Sequence, residues 1–154
     1  MGMKLSLKNG FSIVEVLIAT VVLALAICGI LSAYTTCLIL ISTSKNVSVA
    51  TNAAQGVIEE IRSTPFTQII DDFNGMIFTV NDVPSSRGVV YVTTTAPFGN
   101  AELLGVTVSV CWRQGNKIIG EDTNLNGVLN AGEDVNGNGM IDSTVQLKTQ
   151  VVNR

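Results

Sequence analysis

The stretch KNGFSIVEVLIATVVLALAICGI, residues 8–30, decides how the rest of the chain is read. Its apolar run continues to Ile41, so that 26 residues from Val16 onward carry no charge. A bilayer core needs only about 20 helical residues. A secretory signal peptide has a shorter apolar core, about 7–15 residues, with small residues at its cut site. Lys4 and Lys8 precede the run, and such basic residues stay on the cytoplasmic side. The pattern predicts a single-pass helix in a membrane, with the remainder of the chain on the outer side. Glu15 does not fit a plain anchor, because a carboxylate in such a segment costs on the order of a few kcal/mol near the bilayer centre. Two explanations stay open from the residue alone: Glu15 reaches the interface, or it meets a partner charge.

Composition narrows the rest. A chain of 154 residues accommodates one compact domain and an extra element. Its formal charge is −3, and losing the first ten residues leaves 7 basic against 12 acidic groups. That balance gives no attraction to nucleic acid, and no nucleic-acid partner is predicted. The absence of histidine removes His-based acid–base chemistry and the usual zinc ligands. Cys28 and Cys37 lie on one predicted helix, roughly 13 Å apart at ~1.5 Å per residue, too far for a disulfide. With Cys111 they show no C-x-x-C spacing, so they are taken as apolar fillers. Asp71 and Asp72 precede Asn74-Gly75 in a turn-like stretch with no nucleophile–base pattern, and no enzyme is predicted.

After Lys45 the helical signal resumes. Val47, Ala50, Ala54, Val57 and Ile61 recur at steps of three and four, forming a stripe suited to packing on a sheet. Ser63, Thr64 and Pro65 end it. Beyond Pro65 the period becomes two. Met76, Phe78 and Val80 alternate with Ile77 and Thr79, and residues 88–95 are almost wholly β-branched. Val106, Val108, Val110 and Trp112 share one face, with Cys111 and Arg113 on the other. Val145, Leu147 and Val151 alternate with Gln146, Lys148 and Gln150, and Gln114-Gly115-Asn116 marks a hairpin turn. The predicted fold class is α+β: a long helix laid on a small antiparallel sheet with one apolar and one wet face. By alternation Cys111 faces away from the helix, which disfavours a bridge to Cys37.

The segment EDTNLNGVLNAGEDVNGNGMIDS, residues 121–143, interrupts the last strands and repeats with a period of twelve. Asp122, Asn124, Asn126, Gly127, Leu129 and Asn130 align with Asp134, Asn136, Asn138, Gly139, Ile141 and Asp142. The first copy fits the calcium-loop pattern D-x-[DN]-x-[DN]-G-x5-E through Glu133. Its expected Ca2+ ligands are Asp122, Asn124, Asn126, the Val128 carbonyl, Asn130 and a bidentate Glu133. The second copy has Val145 where the glutamate belongs. Asp134, Asn136, Asn138, Met140 and Asp142 either hold a second, weaker ion or lend ligands to the first. A plain Asn-Gly turn cluster is the alternative. The ion would be structural, offsetting the entropy of ordering a polar loop, with affinity of roughly 10⁻⁴–10⁻³ M.

The start of the chain resembles type IV prepilins: a short basic leader ending in Gly10, an aromatic Phe11, Glu15 four positions on, then a long apolar helix. The resemblance implies a pilin fold, cleavage between Gly10 and Phe11 by a prepilin peptidase, and N-methylation of Phe11. It also implies that Glu15 pairs with the N-terminal amine of a neighbouring subunit during assembly, although the amine of its own chain lies about one turn away and competes. The chain would then comprise a leader (1–10), a transmembrane and assembly helix (11–42) and a globular domain (43–154). Implied partners are other pilins or pseudopilins and the inner-membrane assembly platform. The subunit would sit in the inner membrane first and in a filament afterwards. Residues 53–66, AAQGVIEEIRSTPF, are similar to PilV-type minor pilins and to the pseudopilin I component of type II secretion. The first is the favoured expectation and the second the alternative.

Overall fold

The computed structural model describes residues 10, 12–94 and 103–153. Phe11, the expected methylation site, lies outside them, as do the leader up to Asn9 and Thr95 at the end of the predicted second strand. Helix α1 runs unbroken through Ile13–Ser63, and the chain divides into two compact units at Ser42 and Thr43. In the first unit every described residue from Ser12 on is exposed. Among the described residues, 17 of the 22 exposed large hydrophobics fall between Ile13 and Ile41. This is the one helix among them long and apolar enough to cross a membrane. Glycine at position 29 does not interrupt it.

In the second unit the last part of α1 is amphipathic and lies on a sheet. Asn46, Ala50, Ala54, Ile58 and Ile61 are its buried positions. Ile58, rather than the predicted Val57, occupies the centre, and Val47 and Val57 flank the core half-buried. Two fully buried alanines one turn apart let the helix backbone approach the sheet closely, and Trp112, also fully buried, fills the space beyond. At the start of this face the Asn46 amide donates to Gln114 Oε1 at 2.6 Å, so the one buried polar side chain of the helix is satisfied. The helix stops at Ser63. A 3-10 turn (Phe66–Gln68) and a short α2 (Ile69–Phe73) follow. The turn expected around Asp71 and Asp72 is thus helical, with both acids exposed and Ile69 and Phe73 driven into the core.

The strands are β1 (Ile77–Phe78), β2 (Ser86–Thr94), β3 (Leu103–Gln114), β4 (Lys117–Ile119) and β5 (Val145–Val152), all antiparallel. β3 is central. β2 covers one of its edges, while β4 pairs with Trp112–Gln114 and β5 with Leu103–Val110 on the other. One edge lane is therefore built from two pieces, and the Asn/Gly-rich segment leaves the sheet between them, beside Cys111. Gly120 makes this exit possible: its φ is +110°, and a Cβ there would stand 2.2 Å from Cys111 Sγ.

The face predicted to be wet is wet only in part: Thr93, Arg113, Lys148 and Gln150 are exposed on it, while the stretch around Cys111 is covered. Cys111 does point away from the helix-side core, as alternation requires, but it is fully buried. Leu125, Leu129 and Ile141 of the insertion pack over Val89, Tyr91 and Cys111 as a second small core. The cause is the period of the repeat. The two copies carry Leu129 and Ile141 at the same position, and both are placed against the sheet. All three cysteines are free, and burial raises the Cys111 thiol pKa, so it is a filler rather than a nucleophile.

Candidate functional site

The insertion is fixed before any ligand is considered. Tyr91 Oη accepts the Ile141 N–H at 3.0 Å, and Ser143 Oγ donates to the Val110 carbonyl, tying the far end of the segment to β2 and β3. Burial raises the Tyr91 pKa above that of an ordinary phenol.

In the first copy, Asp122 is almost wholly buried and receives the N–H of Asn126 on Oδ1 at 3.1 Å and of Gly127 on Oδ2 at 2.7 Å. Asn124 Oδ1 accepts from Asn126 N–H, and Asn126 Oδ1 from Val128 N–H. The chain thus curls with its oxygens inward. Glycine is required at 127, where φ is +79° and an added Cβ would meet Ile77 at 2.8 Å. Glu133 closes the curl: Oε1 accepts from Thr123 N–H and hydroxyl, and Oε2 from Asn130 N–H at 2.9 Å. The hydrogen bond from the Thr123 hydroxyl, helped by the Asn130 N–H, holds its carboxyl below the usual pKa.

The second copy repeats these bonds twelve residues on. Asp134 takes Asn138 N–H at 3.0 Å and Gly139 N–H at 2.9 Å. Asn136 Oδ1 accepts from Asn138 N–H, and Asn138 Oδ1 from Met140 N–H. The amides of Asn136 and Asn138 donate to Asp142 as those of Asn124 and Asn126 do to Asn130. Partial burial of Asp142 opposes ionisation, but donors from Gln146, Asn136 and Asn138 outweigh it and its pKa is lowered.

Val145, at the place of the missing glutamate, is buried in the helix-side core. Its role passes to Glu121. Oε1 of Glu121 accepts Val135 N–H at 3.3 Å and Oε2 accepts Asp142 N–H at 3.0 Å, the counterparts of the Glu133 bonds to Thr123 and Asn130. The two copies are closed reciprocally: the residue before the second completes the first, and the residue before the first completes the second. Glu121 was missed in the sequence reading because the repeat was begun at Asp122. Extending it by two residues gives Gly120-Glu121-Asp122 aligned with Gly132-Glu133-Asp134, with φ of +110° and +89° at the two glycines.

The polar atoms of the first copy carry an internal conflict. Asn130 Oδ1 stands 3.0 Å from the Val128 carbonyl oxygen and 3.2 Å from Glu133 Oε2, so three acceptors face one another. Turning the Asn130 amide instead presents its NH₂ to the NH₂ groups of Asn124 and Asn126, at 2.8 and 3.0 Å. Neither setting satisfies all four neighbours. The conflict vanishes if all three amides turn their oxygens inward around a hard cation, the donor chemistry calcium takes. Among the described residues no three carboxylate, thiol or imidazole side chains converge on one point. The donors that fit are amide and carbonyl oxygens, with the carboxylates of Asp122 and Glu133 retaining lone pairs beyond their backbone bonds.

At the other end of the chain, Gly10 and Glu15 are both exposed. The Ser12 carbonyl accepts from the N–H of Glu15 at 3.0 Å and of Val16 at 3.2 Å, so the helix begins directly after the expected cut. Glu15 lies in its first turn, where a negative charge complements the helix dipole. Among the described residues Glu15 makes no ion pair. Val16, Ala19, Thr20 and Leu23 line a shallow apolar groove beside it. Comparison with protein families, curated proteins and solved structures finds no match for this chain.

Proposed function

We propose that the chain is a noncatalytic filament subunit of the type IV pilin class, closest in kind to PilV-type minor pilins. The leader is cut after Gly10, Phe11 becomes the methylated N-terminus, and the apolar part of α1 holds the subunit in the inner membrane until it joins other subunits. The observation that carries this reading is the contrast along one helix. Its first part is apolar on every side with all described residues exposed, while its last part is amphipathic and already packed. A surface of that extent is supplied with neighbours by lipid first and by other helices afterwards. Glu15, in the first turn, then receives the amine of a neighbouring subunit, each charge compensating the other where both are poorly solvated.

Within this reading the insertion is a structural calcium site. The first ion takes oxygens from Asp122, Asn124, Asn126, Val128, Asn130 and Glu133. The second takes them from Asp134, Asn136, Asn138, Met140 and Asp142, with Glu121 as the closing carboxylate. A cation removes the amide conflict and offsets the entropy lost in ordering the segment.

The test is Glu15→Ala expressed in cells lacking the native subunit. Processing at Gly10, followed as an N-methylated Phe11 by mass spectrometry, should continue, while entry into filaments should drop at least tenfold. Undiminished entry would remove the role given to Glu15, and an intact Met1 would leave only a membrane-anchored domain. Deleting the subunit separates pilus from secretion filament: loss of surface fibres supports the first, and a block in protein export the pseudopilin alternative.

A further inference from the structure

A cleft of about 420 Å³ opens between β2, β3 and the first loop copy, and its lining includes Thr79, Ser85, Arg87, Arg113, Asn124 and Leu125. Arg87 lies opposite Cys111 in the β2–β3 register, and Arg113 is two residues further along β3, so both leave the same face of the sheet as diagonal neighbours. No carboxylate lines the cleft. Among the described residues neither arginine makes an ion pair or a side-chain hydrogen bond, the one ion pair being Arg62–Glu59. Acids outnumber bases, 12 to 9, so an unaccompanied pair of arginines is not a product of composition. The backbone adds a second mark. Three described non-glycine residues have positive φ, and two of them, Ser85 (48°) and Leu125 (56°), line this cleft. Left-handed backbone at such residues is strained and gathers at binding sites.

We propose that this cleft binds a tetrahedral oxyanion, the phosphate or sulfate group of a larger anionic molecule, between the guanidinium groups of Arg87 and Arg113. The planar forks of two arginines match the oxygens of such a group bidentately, and the hydroxyls of Thr79 and Ser85 supply further donors or accept from a sugar attached to it. Bound anion also cancels the repulsion between two neighbouring cations that nothing else in the cleft neutralises.

The test is calorimetric titration of the full chain in a neutral detergent, at low chloride, with inorganic phosphate, inorganic sulfate, glucose 6-phosphate and galactose 6-sulfate, and with glucose as the uncharged control. One saturable site for the oxyanions and none for glucose is expected. Tighter binding of the esters assigns the site to phosphorylated or sulfated glycans, and equal binding assigns it to the free ion. R113A and R87A should each weaken binding about tenfold or more, the loss of one charge-assisted contact. R62A, which changes an arginine outside the cleft, should not. Arg113 is exposed, so its replacement leaves the fold intact even if R87A does not. Absence of saturable binding, or unchanged affinity in R113A, overturns the proposal.

Discussion

The first loop copy ends on a glutamate of its own, Glu133, whereas the second runs into Val145, a strand residue buried beneath the helix, and takes Glu121 from in front of the first. The backbone N–H to side-chain bonds within the two copies nevertheless correspond at an offset of twelve, while the Thr123 hydroxyl bond to Glu133 has no counterpart at Val135. The difference lies in charge and in setting. The first has two carboxylates, Asp122 and Glu133, both nearly buried, and the second has three, Glu121, Asp134 and Asp142, all more accessible. A repeat can therefore preserve a hydrogen-bonded loop while changing where its closing carboxylate comes from. The sheet edge dictates the change, because position 145 is needed for β5.

Removing the cation tests both copies at once and should have the largest effect. At calcium about tenfold to a hundredfold above the dissociation constant, each ion contributes about 1–3 kcal/mol. Excess chelator should then lower the melting temperature of the full chain in detergent by on the order of 10 °C. An unchanged melting curve would mean that the segment is only a turn cluster. Next in size are Glu133→Gln and Glu121→Gln. Each should reduce calcium stoichiometry from two to one by equilibrium dialysis and lower stability by about 2 kcal/mol, since each carboxylate accepts charge-assisted backbone bonds. Two ions bound normally in Glu121→Gln would break the reciprocal closure.

Glycine substitutions sharpen the comparison. Gly127 and Gly139 both have positive φ, but only Gly127 has a neighbour, Ile77, in the way of a Cβ. Gly127→Ala should cost about 1–3 kcal/mol more than Gly139→Ala in denaturant melts, as overpacking adds to strain. The smallest effect concerns Leu125, whose counterpart Gly137 has φ of +72° against its own +56°. Leu125→Gly relieves left-handed strain but removes a side chain from the second core, so a net change within about 1 kcal/mol is expected by thermal melting. A large loss would show that this packing outweighs the strain.

Much of the molecule was written in local pattern. Apolar length before Ser42, the change to a three-and-four stripe and then to a period of two placed α1 and the long strands, because these periods are properties of each segment's own geometry. The Asp71–Asp72 stretch was misread as a turn since its helix is short and held by Ile69 and Phe73 rather than by propensity. All six candidate ligand positions of the first copy and the glycine at 127 were legible because the loop closes on itself within twelve residues.

Sequence alone thus determined which long segments are helical or extended, that the early helix is long and apolar enough to cross a membrane, and that a twelve-residue oxygen-rich repeat exists. Tertiary structure alone decided that β4 and β5 share one edge of β3, that the insertion covers the part of the far face around Cys111, that Glu121 closes the second copy, and that Arg87 and Arg113 stand side by side. These follow from contacts between residues far apart in the chain, whose formation depends on register and loop closure rather than on any local period.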